Sequence, residues 1–164
     1  HRALARYIRH GDLDAREAVN EYASAFQPLL GAPAPRFLHP AGEHHDLRRI
    51  LRSQNRRFFG GEFRGRIGWS RGARGRVRRS VRLGSWSPEH QLIRVHPVLD
   101  TADVPDFVVG FIVFHEMLHA ALDPVGEGRR PTHSDGFRQR EAKHPDAART
   151  EAWIHDHLDA LLSY

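Results

Sequence analysis

The chain has 164 residues, a net charge of +5 and no cysteine. This length suits one domain with a genuine hydrophobic core, and the lack of cysteine excludes disulfides, cysteine-ligated zinc ribbons and thiol nucleophiles. No apolar run approaches the roughly 20 residues that span a bilayer, so we expect no membrane partner, and we expect a monomer in a cytoplasmic or nucleoid setting. Because the chain begins at His1 rather than Met, we also expect a fragment of a longer protein.

Apolar periodicity and turn residues predict helices, then a small sheet, then helices again. The first helices are predicted at residues 3–9, 13–30 and 44–58, with a linker rich in Pro and Gly at 31–42. Strands are predicted at 66–69, 76–83 and 91–95, with a turn at 87–90. The last helices are predicted at 106–122, 137–143 and 147–162, with a polar loop at 126–135. We therefore divide the chain into a helical extension and linker, residues 1–43, and a domain, residues 44–164.

Positive charge is concentrated in one segment. Residues 48–94 hold fourteen arginines and two acidic residues, whereas residues 99–164 hold twelve acidic and six basic residues. This asymmetry indicates a polyanionic partner, most plausibly nucleic acid. The alternative is an arginine-rich strand face that is simply solvated.

The segment His115–His119 carries the strongest functional signal. It reads HExxH and follows the apolar run 107–114, within the predicted helix 106–122. Side chains four apart on a helix share a face, so His115 and His119 can reach one tetrahedral metal ion. Glu116 lies near that face, where it can act on a water molecule at the metal. A five-residue pattern also occurs by chance, but a core-facing helix rarely places these three residues together.

Two histidines do not complete a catalytic site, because zinc hydrolases usually supply three protein ligands. The positions that a metzincin would use hold Leu122 and Val125, which excludes that class. The downstream candidates for a third ligand are His133, Glu141, His144 and Glu151. We favour His133, although its spacing alone fits a solvated loop histidine equally well. Asp123 is either a group that orients an imidazole or a helix-terminal cap.

Several short blocks occur in a fixed order between residues 47 and 140. They are Asn55–Gly61, Ile67–Ser70, Leu83–Trp86, Gln91–Val95, His115–Ala120 and His133–Phe137. Their order and spacing resemble the SprT-like metalloprotease domain, the family that includes the Spartan DNA–protein crosslink proteases. With the predicted elements, the resemblance implies a zincin-like α+β fold. A small three-stranded sheet packs against the HExxH helix, and the helices at 44–58 and 147–162 flank it.

The resemblance also implies an activity. It implies a zinc metallopeptidase in which His115, His119 and His133 bind Zn²⁺ and Glu116 is the catalytic base. Its substrates would be proteins, including those bound or crosslinked to single-stranded or damaged DNA, in a DNA-repair role.

The chain departs from the family pattern in two respects. Thr132 and Ser134 stand where glycines are usual beside the third histidine, and there is no cysteine zinc ribbon. Contacts to DNA are therefore expected either from the arginine-rich β segment, at Arg76, Arg78, Arg79 and Arg82, or from parts of the protein outside this sequence.

Some questions stay open at the level of sequence. The donor that stabilises the oxyanion could be His90, His96 or an arginine. Trp69 and Trp86 either stack on bases or belong to the core of the sheet. Two other functions remain: a metallopeptidase with no DNA role, and a zinc-stabilised nucleic-acid-binding module that cleaves nothing.

Overall fold

The part of the chain that the computed structural model describes, residues 39–71, 80–122 and 133–164, has an α+β fold with five helices and a three-stranded sheet. The helices are α1 (Leu47–Phe58), α2 (Asp106–Leu122), α3 (Asp135–Glu141), α4 (Ala147–Asp156) and α5 (Leu158–Leu162). The strands are β1 (Arg66–Trp69), β2 (Gly84–Ser87) and β3 (Leu92–Val95). Several predictions fall outside the described residues: the two N-terminal helices, most of the linker and the polar loop, Asp123, Arg76, Arg78 and Arg79.

The sheet is mixed, and its strand order is β1-β3-β2. The central strand β3 pairs in parallel with β1 and antiparallel with β2. Helix α2 packs against β2 and β3 and is buried over most of its surface. The core forms between β3 and α2, and its fully buried members include Ile93, Val95, Val109, Val113 and Met117. The sheet therefore holds the HExxH helix along most of its length. Within the described residues, no helix has the length and apolar character needed to cross a membrane.

Local side-chain bonds set both ends of α1. The Asp46 carboxylate accepts hydrogen bonds from the N–H groups of Arg48 and Arg49, which caps the helix and starts it at Leu47. After the helix, Gly60 and Gly61 adopt positive φ angles of 59° and 79°. Residues with a Cβ atom rarely adopt this conformation. The Asn55 amide then bonds Phe63 in both directions, at 3.0 and 3.1 Å. These two hydrogen bonds fix the turn of the chain between α1 and β1.

Two predicted elements differ substantially from those observed, whereas the bounds of the other elements predicted within the described residues differ by at most three residues. The predicted strand 76–83 is not found over its described part, residues 80–83. The strand is Gly84–Ser87 instead, and its residues pair with Val95 to Leu92 of β3. The predicted helix 147–162 is two helices separated at His157, where φ is −111° and ψ is 14°. The His157 ring stacks on Trp153 at 4.1 Å, and its Nδ1 lies 2.8 Å from the Trp153 carbonyl oxygen. This local contact competes with continued helical geometry.

Candidate metal centre and cleft

Three histidine side chains converge at one end of α2. The Nε2 atoms of His115 and His119 are 3.1 Å apart, and those of His115 and His133 are 3.4 Å apart. The three ligand atoms all lie within 4.8 Å of one another, close enough to bind a metal ion. A tetrahedral ion with bonds of about 2.0–2.1 Å would separate its nitrogen ligands by about 3.3–3.4 Å. The two separations from His115 are near this value, and the predicted set of His115, His119 and His133 lies close enough together to bind a metal ion.

One aromatic ring supports all three imidazoles. Phe137 is 1% exposed, and its ring centroid lies 5.1, 4.6 and 4.8 Å from those of His115, His119 and His133. Phe137 is placed by α3, whose first turn is capped because the Ser134 hydroxyl accepts from the Phe137 N–H at 3.3 Å. Ser134 stands where the SprT-like pattern usually has glycine, and its hydroxyl caps the start of this helix.

Glu141 contacts the metal site from outside. Its Oε1 lies 2.6 Å from Nδ1 of His115, on the side of the ring away from the converging Nε2 atoms. A carboxylate in this position keeps the imidazole proton on Nδ1 and leaves Nε2 as the ligand atom. Sequence reasoning named Glu141 as a possible ligand, and the geometry makes it a hydrogen-bond partner of a ligand. Burial holds the pKa of His115 below its ordinary value, and the Glu141 carboxylate opposes this shift.

Glu116 faces a cleft of about 1010 Å³ beside the three histidines. It is 6% exposed and lies against β2, where a Cβ atom added to Gly84 would stand 2.6 Å from its Oε1. Burial raises the pKa of Glu116 to about 7, and the Arg82 charge and the backbone N–H of Trp86 oppose that rise. The closeness of β2 explains why a residue without a side chain stands at position 84. No feature of the sequence singled out Gly84 for this role.

Helices and the edge strand β2 form the two walls of the cleft. One wall consists of β2 and the residues just before it, and the other includes Arg138, Ala142, Ala147, Glu151 and Ile154. The floor is the α2 segment that carries the HExxH motif. Within the described residues, strand order places β2 at the edge of the sheet, so one side of this cleft strand has no strand partner among them. Such an edge offers backbone hydrogen bonds to an extended peptide.

The other third-ligand candidates are not part of the cluster. His144 is 3% exposed and packs between Phe58 and Phe114, with ring centroids 4.6 and 4.5 Å away. Its Nε2 lies 3.2 Å from the Gln54 side-chain oxygen, and burial lowers its pKa. Glu151 is exposed on the cleft wall. Both residues therefore have positions distinct from the metal site.

The structure also places the residues that the sequence left open as oxyanion donors or as stacking partners of nucleic-acid bases. His96 is buried, and its Nδ1 accepts from the Val98 N–H at 3.1 Å. Neither His96 nor His90 is among the residues that line the cleft. Trp69 and Trp86 are half-buried and pack against the core cluster, as expected of core residues of the sheet.

Three of the four arginines predicted to contact nucleic acid, Arg76, Arg78 and Arg79, lie outside the described residues. Of these four, Arg82 lies in the described part of the chain, where it is exposed and lines the cleft. Helix α1 presents a second set of exposed arginines, which the sequence prediction did not single out: Arg48, Arg49, Arg52, Arg56 and Arg57. Helical periodicity could have identified this face.

Comparison with protein-family models, with curated proteins and with solved structures found no match to this chain. The site is therefore interpreted from its own residues and geometry.

Proposed function

We propose that this chain is a zinc-dependent metallopeptidase of the SprT-like type that hydrolyses protein substrates. The observation that supports this most directly is the convergence of His115, His119 and His133 on one point, with Glu116 beside it in an open cleft. A site with a purely structural role needs no carboxylate next to its ligands and no access for substrate. Here both features are present, which favours catalysis over a zinc-stabilised binding module.

The donor set fits zinc. Three neutral imidazoles are borderline-soft ligands that suit Zn²⁺, whereas Mg²⁺ and Ca²⁺ prefer carboxylate and carbonyl oxygens. The Nε2 distances of 3.1 and 3.4 Å match the edge of a tetrahedron around such an ion. A bound zinc ion acts as a Lewis acid that acidifies an attacking water and polarises the scissile carbonyl.

The protein residues supply the remaining chemistry. Glu116 accepts the proton of the attacking water as the carbon–oxygen bond forms, and later delivers it to the leaving amine nitrogen as the carbon–nitrogen bond breaks. Gly84 leaves room for that carboxylate against β2. The edge of β2, which has no strand partner among the described residues, suits an extended polypeptide. Glu141 holds the His115 ring in the tautomer that the metal requires.

Replacement of the base tests the proposal. Glu116→Gln preserves shape and removes basicity, so we expect a folded, zinc-loaded protein whose peptide hydrolysis falls at least about a hundredfold. Glu151→Gln is the matched control, because Glu151 is an exposed carboxylate of the same cleft that does not belong to the histidine cluster. Undiminished hydrolysis in the Glu116→Gln variant would refute the assignment.

Loss of the third ligand tests the metal set separately. We expect His133→Ala to lose stoichiometric zinc, as measured by elemental analysis after dialysis. His144→Ala serves as the comparison, because it removes a downstream histidine that is not in the cluster. Tightly held zinc in His133→Ala would identify another residue as the third ligand.

A second function, contact with nucleic acid, is favoured by the exposed face of α1. Arg48, Arg52 and Arg56 recur every four residues and lie on one side of the helix. Their successive rise is about 6 Å, so they form a row of cations suited to a phosphate backbone. Such contact would direct the peptidase to proteins bound or crosslinked to DNA.

A further inference from the structure

Arg82 and Glu116 share one side of the cleft. The His96 N–H donates to the Leu83 carbonyl at 2.8 Å, which extends the β2–β3 pairing by one residue beyond Gly84. Side chains alternate between faces along an extended segment, so positions 82 and 84 project in the same direction. At Gly84 that direction leads to the Glu116 carboxylate, 2.6 Å from an added Cβ. The Arg82 side chain is therefore directed to the face that carries the proposed base.

Other observations agree with this direction. Arg82 lines the cleft together with Glu116 and all three histidines. Arg138 is the other arginine among the described cleft residues, and it lies on the α3 wall, 3.4 Å from the Asp135 carboxylate. Arg82 thus places a cation beside the proposed base.

Hydrolysis of an amide creates a need for such a cation. As water attacks the carbonyl carbon, the electron pair of the carbonyl π bond moves to oxygen and forms an oxyanion. A positioned donor lowers the energy of this state more than that of the neutral carbonyl, which accelerates the reaction. Neither His90 nor His96 lines the cleft, so neither of these two candidates is placed to donate.

We propose that the Arg82 guanidinium donates a hydrogen bond to the scissile carbonyl oxygen and stabilises the oxyanion of the tetrahedral adduct. This role rests on the proposed peptidase function and adds a catalytic residue to it. No proton leaves the guanidinium, which serves only as a hydrogen-bond donor. The proton released by the water passes to Glu116, and the same proton reaches the amine when the carbon–nitrogen bond breaks.

Arg82→Ala and Arg82→Lys test this role, with Arg140→Ala as the matched control, because Arg140 is exposed on α3 and is not among the residues that line the cleft. Hydrolysis of a quenched fluorescent peptide gives kcat and KM. Inhibition by a phosphinic peptide of the same sequence reports binding of a tetrahedral oxyanion mimic. Zinc content and circular dichroism establish that each variant is loaded and folded. Because Arg82 is exposed, its replacement leaves the core intact.

We expect Arg82→Ala to lower kcat by about tenfold to a hundredfold. This loss is at or below the range of kcat losses for a buried oxyanion donor, because water competes for the hydrogen bonds of an exposed donor. KM should stay within about twofold, affinity for the phosphinic peptide should fall by the same factor as kcat, and Arg82→Lys should recover part of both. Unchanged kcat, or a change confined to KM, would overturn the Arg82 role and leave the peptidase proposal standing. A zinc-loaded wild type that cleaves no protein or peptide would overturn both.

Discussion

Nδ1 of His115 lies 2.6 Å from Oε1 of Glu141, so one end of the imidazole is bound to a carboxylate while the other points to the metal site. The two side chains come from α2 and from the last turn of α3, 26 residues apart. Both are about three-quarters buried, at 22% and 26% exposure. The pair therefore orients a ligand in surroundings that water screens only in part.

Removal of this carboxylate should weaken metal binding without removing a ligand. We expect Glu141→Ala to reduce zinc affinity about 10- to 100-fold, the usual effect of losing such a partner. Glu141→Gln should fall between Ala and wild type, since its amide oxygen still accepts from Nδ1. Competition with a chromophoric chelator measures the affinities, and Glu151→Gln is the control. An affinity loss as large as that of His115→Ala would indicate that Glu141 is itself a ligand.

The approach of β2 to α2 makes Gly84 a sensitive position for activity. A Cβ atom there would lie 2.6 Å from Glu116 Oε1 and 3.0 Å from Ile112 Cγ2. Gly84→Ala should therefore displace the Glu116 carboxylate and reduce kcat by about tenfold or more, since small displacements of catalytic groups are costly. Peptide hydrolysis and zinc content are the measurements.

Ser85→Ala is the matched control for Gly84→Ala. Ser85 lies on the same strand, but its side chain projects to the opposite face. We expect near wild-type hydrolysis from it. Equal activity of the two variants would show that β2 shifts to accommodate the added Cβ atom and that the glycine has no role in placing Glu116.

The sequence predicts α2 well because a continuous apolar run lies between Pro105 and Pro124. Helix α2 has the predicted bounds, 106–122, and the HExxH spacing places His115 and His119 together. His133 also joins them as predicted. Glu141 and Gly84 have roles that depend on contacts between elements, which no local pattern encodes. The break at His157 follows from a side chain that bonds its own helix, which helical periodicity does not reveal.

Asp100 stabilises the segment that leads into α1, and it should make the free energy of unfolding depend on pH in the acidic range. Its carboxylate accepts from the N–H groups of Glu43, His44 and His45 at 2.7–3.0 Å. Gly42 lies so close that an added side chain would overlap this carboxylate. Burial alone would raise the pKa of Asp100, but the three N–H donors outweigh it and hold that pKa below its ordinary value.

A carboxyl whose pKa is lowered by folding contributes stability above its unfolded pKa of about 3.9, and that contribution is lost as pH falls through the folded value. We expect Asp100→Asn to lower the free energy of unfolding by about 1–3 kcal/mol at pH 7. The difference from wild type should shrink as pH falls below about 4. Urea denaturation of both proteins between pH 7 and pH 2 measures it. A difference that stays constant over this range would contradict an ionised role for Asp100.

The outward face of α1 should contribute to nucleic-acid binding in a salt-dependent manner. Single-strand binding weakens with salt, with a slope of about 0.7 per neutralised phosphate. Arg48→Ser, Arg52→Ser and Arg56→Ser combined should therefore flatten the slope by up to about 2 units, with zinc content unchanged. Fluorescence anisotropy with a labelled single-stranded oligonucleotide between about 50 and 200 mM salt is the measurement.

Two further triple variants decide where nucleic acid binds. The first combines Arg76→Ser, Arg78→Ser and Arg79→Ser, three of the arginines predicted from the sequence. It should also flatten the salt dependence, because both arginine triples belong to the segment 48–94, which has a large excess of positive charge. Serine at Arg138, Arg140 and Lys143 removes the same charge from the acidic half of the chain and should have little effect. Equal loss in all three triples would indicate a response to net charge alone. Wild-type protein that binds no oligonucleotide at low salt would leave a peptidase with no role for nucleic acid.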